Sequence, residues 1–261
     1  MTIAQALESQ ADISQDVIFP PSDLFSDEPP LESDLHLEQI MLLIQCLKWL
    51  WQDRQDFYAA GNLTIYYSPH QKKSEYFRGP DFFAVLGTEL KNRKSWVVWE
   101  ENGKYPNLII EILSDSTAKI DRGLKKEIYQ DTFRTPDYFW YDPNTQEFAG
   151  FHLVDGKYQP LEANAQGHLW SEQLRLYLGV AQGLLRFFTP DGKLVPTLQE
   201  TAALAEAAAA QAKAIAVQSQ VAAAQAEEKA AQSQVAAAQA EEKAARLAAK
   251  LRDLNIDPDT I

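Results

Sequence analysis

The chain of 261 residues has very little of what marks cofactor, zinc or disulfide chemistry. One cysteine, Cys46, excludes a disulfide within the chain, and its place in an apolar helical pattern reads as a small buried hydrophobe. The four histidines, His36, His70, His152 and His168, are scattered without metal-ligand spacing. There is no Gly-rich phosphate loop, no cysteine pair for zinc and no GxSxG elbow. No apolar run approaches the ~18 residues of a membrane span. The first residues lack the basic, apolar, small-residue order of a signal peptide. A reducing, cytoplasmic setting is the resulting expectation.

Positive charge is also scarce, with a net charge of −13, but the deficit is uneven. Residues 1–34 hold eight acidic and no basic side chains, and residues 197–261 hold nine acidic against six basic. The 20 acidic and 18 basic residues of 35–196 nearly cancel, so the overall charge does not describe the surface of that stretch. The chain therefore reads as three parts. Residues 1–34, acidic and interrupted by Pro20-Pro21 and Pro29-Pro30, form an arm without periodicity. Residues 35–196 can bury one sizeable core. Residues 197–261 turn to Ala, Gln, Glu and Lys.

In that last part QSQVAAAQAEEKAA at 218–231 recurs unchanged at 232–245, and fourteen residues make two heptads. With Val221 at an a position, the a positions alternate Val and Glu (Val221, Glu228, Val235, Glu242) and the d positions are Ala224, Ala231, Ala238 and Ala245. Alanine buries little, so the pattern fits a solvated helix as well as a dimerising coiled coil. Continuous from Leu198 to Leu254, it would extend on the order of 80 Å, with Asn255 and Asp257-Pro258 as its stop.

Within the middle part, Leu35 to about Arg54 predicts a largely buried helix capped by Ser33 or Asp34. Strand-like runs follow at Leu63–Tyr67, Phe82–Leu86, Trp96–Trp99 and Asn107–Leu113. Asp121 to Phe133 reads as an amphipathic helix with Leu124, Ile128 and Phe133 apolar, and Asp137–Tyr141 as a strand. With the shorter run Trp96–Trp99 set aside, the order helix, strand, strand, strand, helix, strand belongs to an α/β domain with a mixed sheet flanked by helices. Beyond it, Glu147–Val154 and Lys157–Leu161 around Asp155-Gly156 predict a hairpin. Leu174–Leu178 and Leu184–Phe188 predict further strands.

Two of these runs carry charge where a buried strand carries none. Glu111 sits in the middle of Asn107-Leu108-Ile109-Ile110-Glu111-Ile112-Leu113, and Asp81 opens the run after Gly79-Pro80. A buried carboxylate without a cation costs several kcal/mol or takes up a proton, so a metal ion or a basic side chain is expected beside Glu111. Each acid also has a plain reading: an ordinary ion pair for Glu111, a turn residue for Asp81. On the following helix Asp121, Lys125 and Tyr129 fall at i, i+4 and i+8. A solvated Asp/Lys face would explain that spacing, but the helix directly follows the Glu111 strand and can return Lys125 toward both acids.

These residues in this order, Pro80-Asp81, Glu111-Ile112-Leu113-Ser114, Asp121-x-x-x-Lys125-x-x-x-Tyr129 and Asp137-Tyr138-Phe139-Trp140-Tyr141-Asp142-Pro143, resemble the PD-(D/E)xK nuclease superfamily. Within it they resemble the Uma family, described as bacterial putative restriction endonucleases. The resemblance covers roughly residues 35–190. It implies a restriction-endonuclease-like core and a metal-dependent DNA endonuclease, with Asp81, Glu111 and Lys125 catalytic. Asp81, Glu111 and the carbonyl of Ile112 would hold Mg²⁺ or Mn²⁺. The superfamily lysine is expected at position 113, which is leucine, so the resemblance points to Lys125 instead, with Lys126 and Lys119 as substitutes. His36 and Glu38 fall where related nucleases supply a further site residue. Lys72, Lys73, Arg78, Lys91, Arg93 and Lys94 are candidate contacts to a DNA backbone. The alternative is a nuclease-fold protein that no longer cuts and binds DNA or assembles through its helical tail. In either case a homodimer through the core or the helical tail is a candidate assembly. Carboxylates on opposite faces of the sheet would exclude the nuclease.

Overall fold

The computed structural model describes residues 25–26, 33–68, 77–114 and 121–253. Most of the acidic arm, the basic turn with His70, Lys72 and Lys73, Lys119, and Asn255 to Asp257-Pro258 lie outside the described residues. By contacts the chain divides into two units, Met1–Leu198 and Gln199–Ile261.

Helix α1, Asp34–Leu50, begins where the Ser33 hydroxyl accepts the backbone N–H of His36, relieving one of the unpaired amides of the first turn. Ile40, Leu43, Cys46 and Leu47 form its buried stripe. Leu35, Leu37 and Met41 are exposed, so one face is buried where the sequence predicts a largely buried helix. Gln39 is fully buried, and its amide pairs with both backbone groups of Leu185 at 2.9 Å each.

The main sheet is six-stranded and mixed, in the order β1-β4-β6-β7-β8-β9. Its members are β1 Phe57–Ala60, β4 Phe82–Leu86, β6 Leu108–Ile112, β7 Asp137–Tyr141, β8 Phe148–Val154 and β9 Lys157–Pro160. β6 and β7 run parallel and the other pairs antiparallel. A parallel pair needs a crossover, and the segment from Asp121 to Asp131 supplies it. It opens as a π-helical turn, Asp121–Lys125, and continues as α2, Lys126–Asp131. The expected uniform amphipathic helix is therefore corrected: the wider π turn changes the helical register, and Leu124 is left 55% exposed.

The α/β order expected from the sequence is present, with one change of member. The first core strand is Phe57–Ala60, too short and too close to polar residues to stand out. Ile65–Tyr66 (β2) and Trp96–Val97 (β5) join Phe77–Arg78 (β3) in a separate three-stranded sheet, in the order β3-β2-β5. A third sheet, β10 Leu169–Ser171, β11 Leu176–Ala181 and β12 Leu184–Phe188, starts its middle strand at Leu176 because Arg175 turns the chain at φ +55°. The hairpin β8–β9 is as predicted, with Asp155 and Gly156 at φ +49° and +81°, the left-handed pair that a two-residue turn requires.

Alternation along the strands separates two cores. Leu108, Ile110, Ile112, Phe139 and Tyr141 pack on one face against α1 and the β10–β12 sheet. Ile109, Phe83, Val85 and Tyr138 pack on the other against Tyr129 and Phe133. Helix α3, Leu198–Asp253, is 56 residues of unbroken helix, none of which is buried, and from Gln199 onward it belongs to the second unit. Among the described residues no helix is long and apolar enough to cross a membrane.

Candidate functional site

Asp81 and Glu111 meet at one end of the sheet, on the same face. Phe82 is registered with Ile110, so Asp81 stands opposite Glu111 just beyond the end of β4. Asp81 shares its face with Phe83 and Val85, and Glu111 shares its own with Ile109, and these three apolar residues belong to the core under α2. The opposite-face arrangement that would exclude a shared site is absent from this pair.

The contacts are close. The Ile112 N–H donates to Asp81 Oδ2 at 2.8 Å, and the Asp81 N–H lies 3.4 Å from Glu111 Oε2. Lys125 Nζ donates to Glu111 Oε2 at 3.1 Å and the Tyr129 hydroxyl to Glu111 Oε1 at 2.6 Å. Glu111 and Tyr129 are fully buried, whereas the Lys125 side chain keeps 18% exposure. A buried carboxylate survives only with this kind of cation and hydrogen-bond support. The helical i, i+4 relation brings Lys125 and Tyr129 to the two oxygens of one carboxylate. The Asp121 side chain lies outside the description.

Behind Asp81 stands Gly61. A Cβ at position 61 would lie 2.6 Å from the Asp81 carbonyl oxygen, and Asn62 N–H bonds Pro80 and Asp81 carbonyls at 3.2 Å each. Close backbone approach thus fixes the acid from the β1–β2 turn. From the start of α1, His36 Nε2 lies 3.0 Å from Asp81 Oδ1, while Glu38 is exposed. Leu113 is buried at 2% exposure, with its N–H on the Tyr141 carbonyl. Lys126 turns away, its ammonium 3.4 Å above the Phe151 ring, and burial pushes its pKa down.

The basic residues named as DNA contacts fare differently. Arg93 is corrected: its side chain is 4% exposed, bonded to Glu101 at 2.5 Å and stacked on Tyr58 and Trp96 at 4.6 and 4.8 Å. Lys91 and Lys94 are exposed but follow Leu86, the far end of β4 from Asp81, about 15 Å of strand away. Arg78 is half-buried in β3, nearer in sequence to Asp81.

A further buried acid gives no sign in the sequence of the cluster it anchors. Asp137, fully buried at the start of β7, accepts from Ser171 Oγ at 2.6 Å and Gln173 N at 3.0 Å, with His152 Nδ1 at 2.7 Å. Its partners are 15 to 36 residues distant, beyond the reach of any local motif.

Comparison with known families matches residues 24–185 to the Uma2 model, described as "Putative restriction endonuclease". The chain belongs to the Uma2 family. The match spans more than half the chain and includes Asp81, Glu111 and Lys125. Among solved structures, a putative nuclease belonging to DUF820 from Anabaena variabilis ATCC 29413 aligns at 11% identity and a TM-score of 0.42. That alignment covers 56% of this Uma2 chain and 76% of the other. Curated proteins offer no match.

Proposed function

We propose that the protein is a metal-dependent DNA endonuclease that hydrolyses phosphodiester bonds, with Asp81, Glu111 and Lys125 as its catalytic side chains. The observation that carries this reading is the convergence of two carboxylates and an ammonium at one strand end: Lys125 Nζ is 3.1 Å from Glu111, and Glu111 is 3.4 Å from the Asp81 backbone. Uma2 membership supports the reaction class.

The donors suit a hard cation. Asp81 and Glu111 contribute carboxylate oxygens. The Ile112 carbonyl points to the same edge as its N–H, which already meets Asp81. Among the described residues no group of three or more His, Cys, Asp or Glu could hold an ion. Two carboxylates and a carbonyl would leave positions for water and phosphate oxygens, the usual manner of binding Mg²⁺. A bound Mg²⁺ or Mn²⁺ would supply an acidified water and positive charge beside the scissile phosphate. Lys125, partly open to solvent, would orient the attacking water and hold charge near the phosphate as it develops. The buried aromatic layer of Tyr129, Phe133 and Tyr138 keeps bulk water from the inner side of Glu111.

The test is nicking of supercoiled DNA by the full chain in Mg²⁺ or Mn²⁺, with and without Glu111→Ala. Metal-dependent cutting that disappears in a folded Glu111→Ala variant is expected. Cutting that survives the substitution would falsify the assignment. DNA binding without divalent-ion binding or cutting would replace it with the non-cutting module.

A further inference from the structure

Glu111 presents two unlike oxygens. Oε1 receives the hydroxyl of Tyr129 at 2.6 Å, a short bond between two fully buried groups. The Tyr129 ring packs against Phe133 and Tyr138 with centroids 5.3 and 5.6 Å away, which confines the phenol. Oε2 faces the other way, toward the Lys125 ammonium and the Asp81 N–H. Asp81 is divided in a similar manner: its Oδ2 accepts the Ile112 N–H at 2.8 Å and its Oδ1 lies 3.0 Å from His36 Nε2.

We infer that Tyr129 is a positioning residue that restricts Glu111 to one-oxygen coordination and thereby sets which divalent ion the site prefers. This rests on the metal-site reading above. Mg²⁺ and Mn²⁺ are small and six-coordinate, and take one oxygen from a carboxylate readily. Ca²⁺ accepts six to eight oxygens at longer distance and gains from carboxylates that bind through both. Offering both oxygens of Glu111 would require breaking a charge-assisted hydrogen bond between two fully buried groups. Phenylalanine at position 129 keeps the ring in its aromatic layer and removes the hydroxyl bond to Oε1.

The experiment is calorimetric titration of the full-length protein and of Tyr129→Phe with Mg²⁺, Mn²⁺ and Ca²⁺ separately, without DNA. The variant is expected to shift the Ca²⁺-to-Mn²⁺ affinity ratio toward Ca²⁺ by about tenfold. A merely structural role would weaken all three ions together. Infrared spectra of the wild-type protein carrying ¹³C-carboxyl glutamate provide a second readout that does not depend on the variant folding. Mg²⁺ should produce the wide carboxylate splitting of one-oxygen binding. An unchanged ratio with both proteins binding, or a two-oxygen spectrum in the wild type, overturns the role of Tyr129 alone. No binding of any ion by either protein overturns the metal reading beneath it.

Discussion

Glu111 and Asp137 lie on neighbouring parallel strands of one sheet, and both are fully buried. They occupy opposite ends and opposite faces: Glu111 is registered with Trp140, whereas Asp137 is registered with Leu108. Asp137 is surrounded by donors that are spent on it. Ser171 Oγ and the Gln173 amide draw the β10–β11 turn onto β7, and His152 joins from β8. Glu111 has a second carboxylate beside it and a lysine that still reaches solvent. A buried acid is therefore not itself a sign of chemistry. What separates the two is whether the neighbours complete the charge or leave an acid and a cation able to exchange partners.

The largest effect should separate the acids by function. Glu111→Ala is expected to lower DNA cleavage by 10³-fold or more while the protein stays folded, and cleavage assays with circular dichroism check both. Asp137→Ala should do the reverse. Stripping the acceptor from Ser171 and Gln173 is expected to cost about 3–5 kcal/mol, read as a lower midpoint in urea. A midpoint within error of wild type would mean the Asp137 cluster is not a fastener. Lys125→Met lies between these cases. It should reduce cleavage about 10²-fold and lower the thermal midpoint, with much of the midpoint restored by millimolar Mn²⁺ as the ion replaces the missing ammonium. A loss that Mn²⁺ does not repair would place Lys125 with the fasteners.

The smallest effect concerns His168, which stacks on Phe188 at 3.9 Å and whose pKa burial pushes below its ordinary value. Burial disfavours the charged ring in the folded protein, while the unfolded chain titrates near the ordinary 6.5. Its contribution to stability is thus complete above that pH and is lost as pH falls through the lowered folded value. His168→Phe should flatten the acid side of a stability–pH curve. An unaltered curve would remove His168 from the acid-side loss of stability.

Asp81 and Glu111 are legible in the sequence because each interrupts or opens an apolar run, and burial of a charge demands an explanation. Lys125 and Tyr129 are legible through i, i+4 spacing. The π turn that delivers them is not, since five residues of Asp-Arg-Gly-Leu-Lys differ little from a first α turn. Asp137 is visible as a strand residue but not as an anchor, because Ser171 and Gln173 reach it through tertiary folding. Phe57–Ala60 escapes notice because its four residues, all buried or nearly so, have no polar alternation to reveal a strand. Arg93 illustrates the opposite error: a cation in a loop-like stretch looks solvated until Tyr58, Trp96 and Glu101 close around it.

The duplicated segment of α3 has a consequence for growth of the molecule. Fourteen residues advance a helix by about 21 Å and turn it through roughly 1,400°, some 40° short of four full revolutions. Gaining or losing one copy would therefore act as a unit of length, moving the helix end by a fixed step while keeping nearly the same side of the rod in view. Residues 218–245 already contain two such steps.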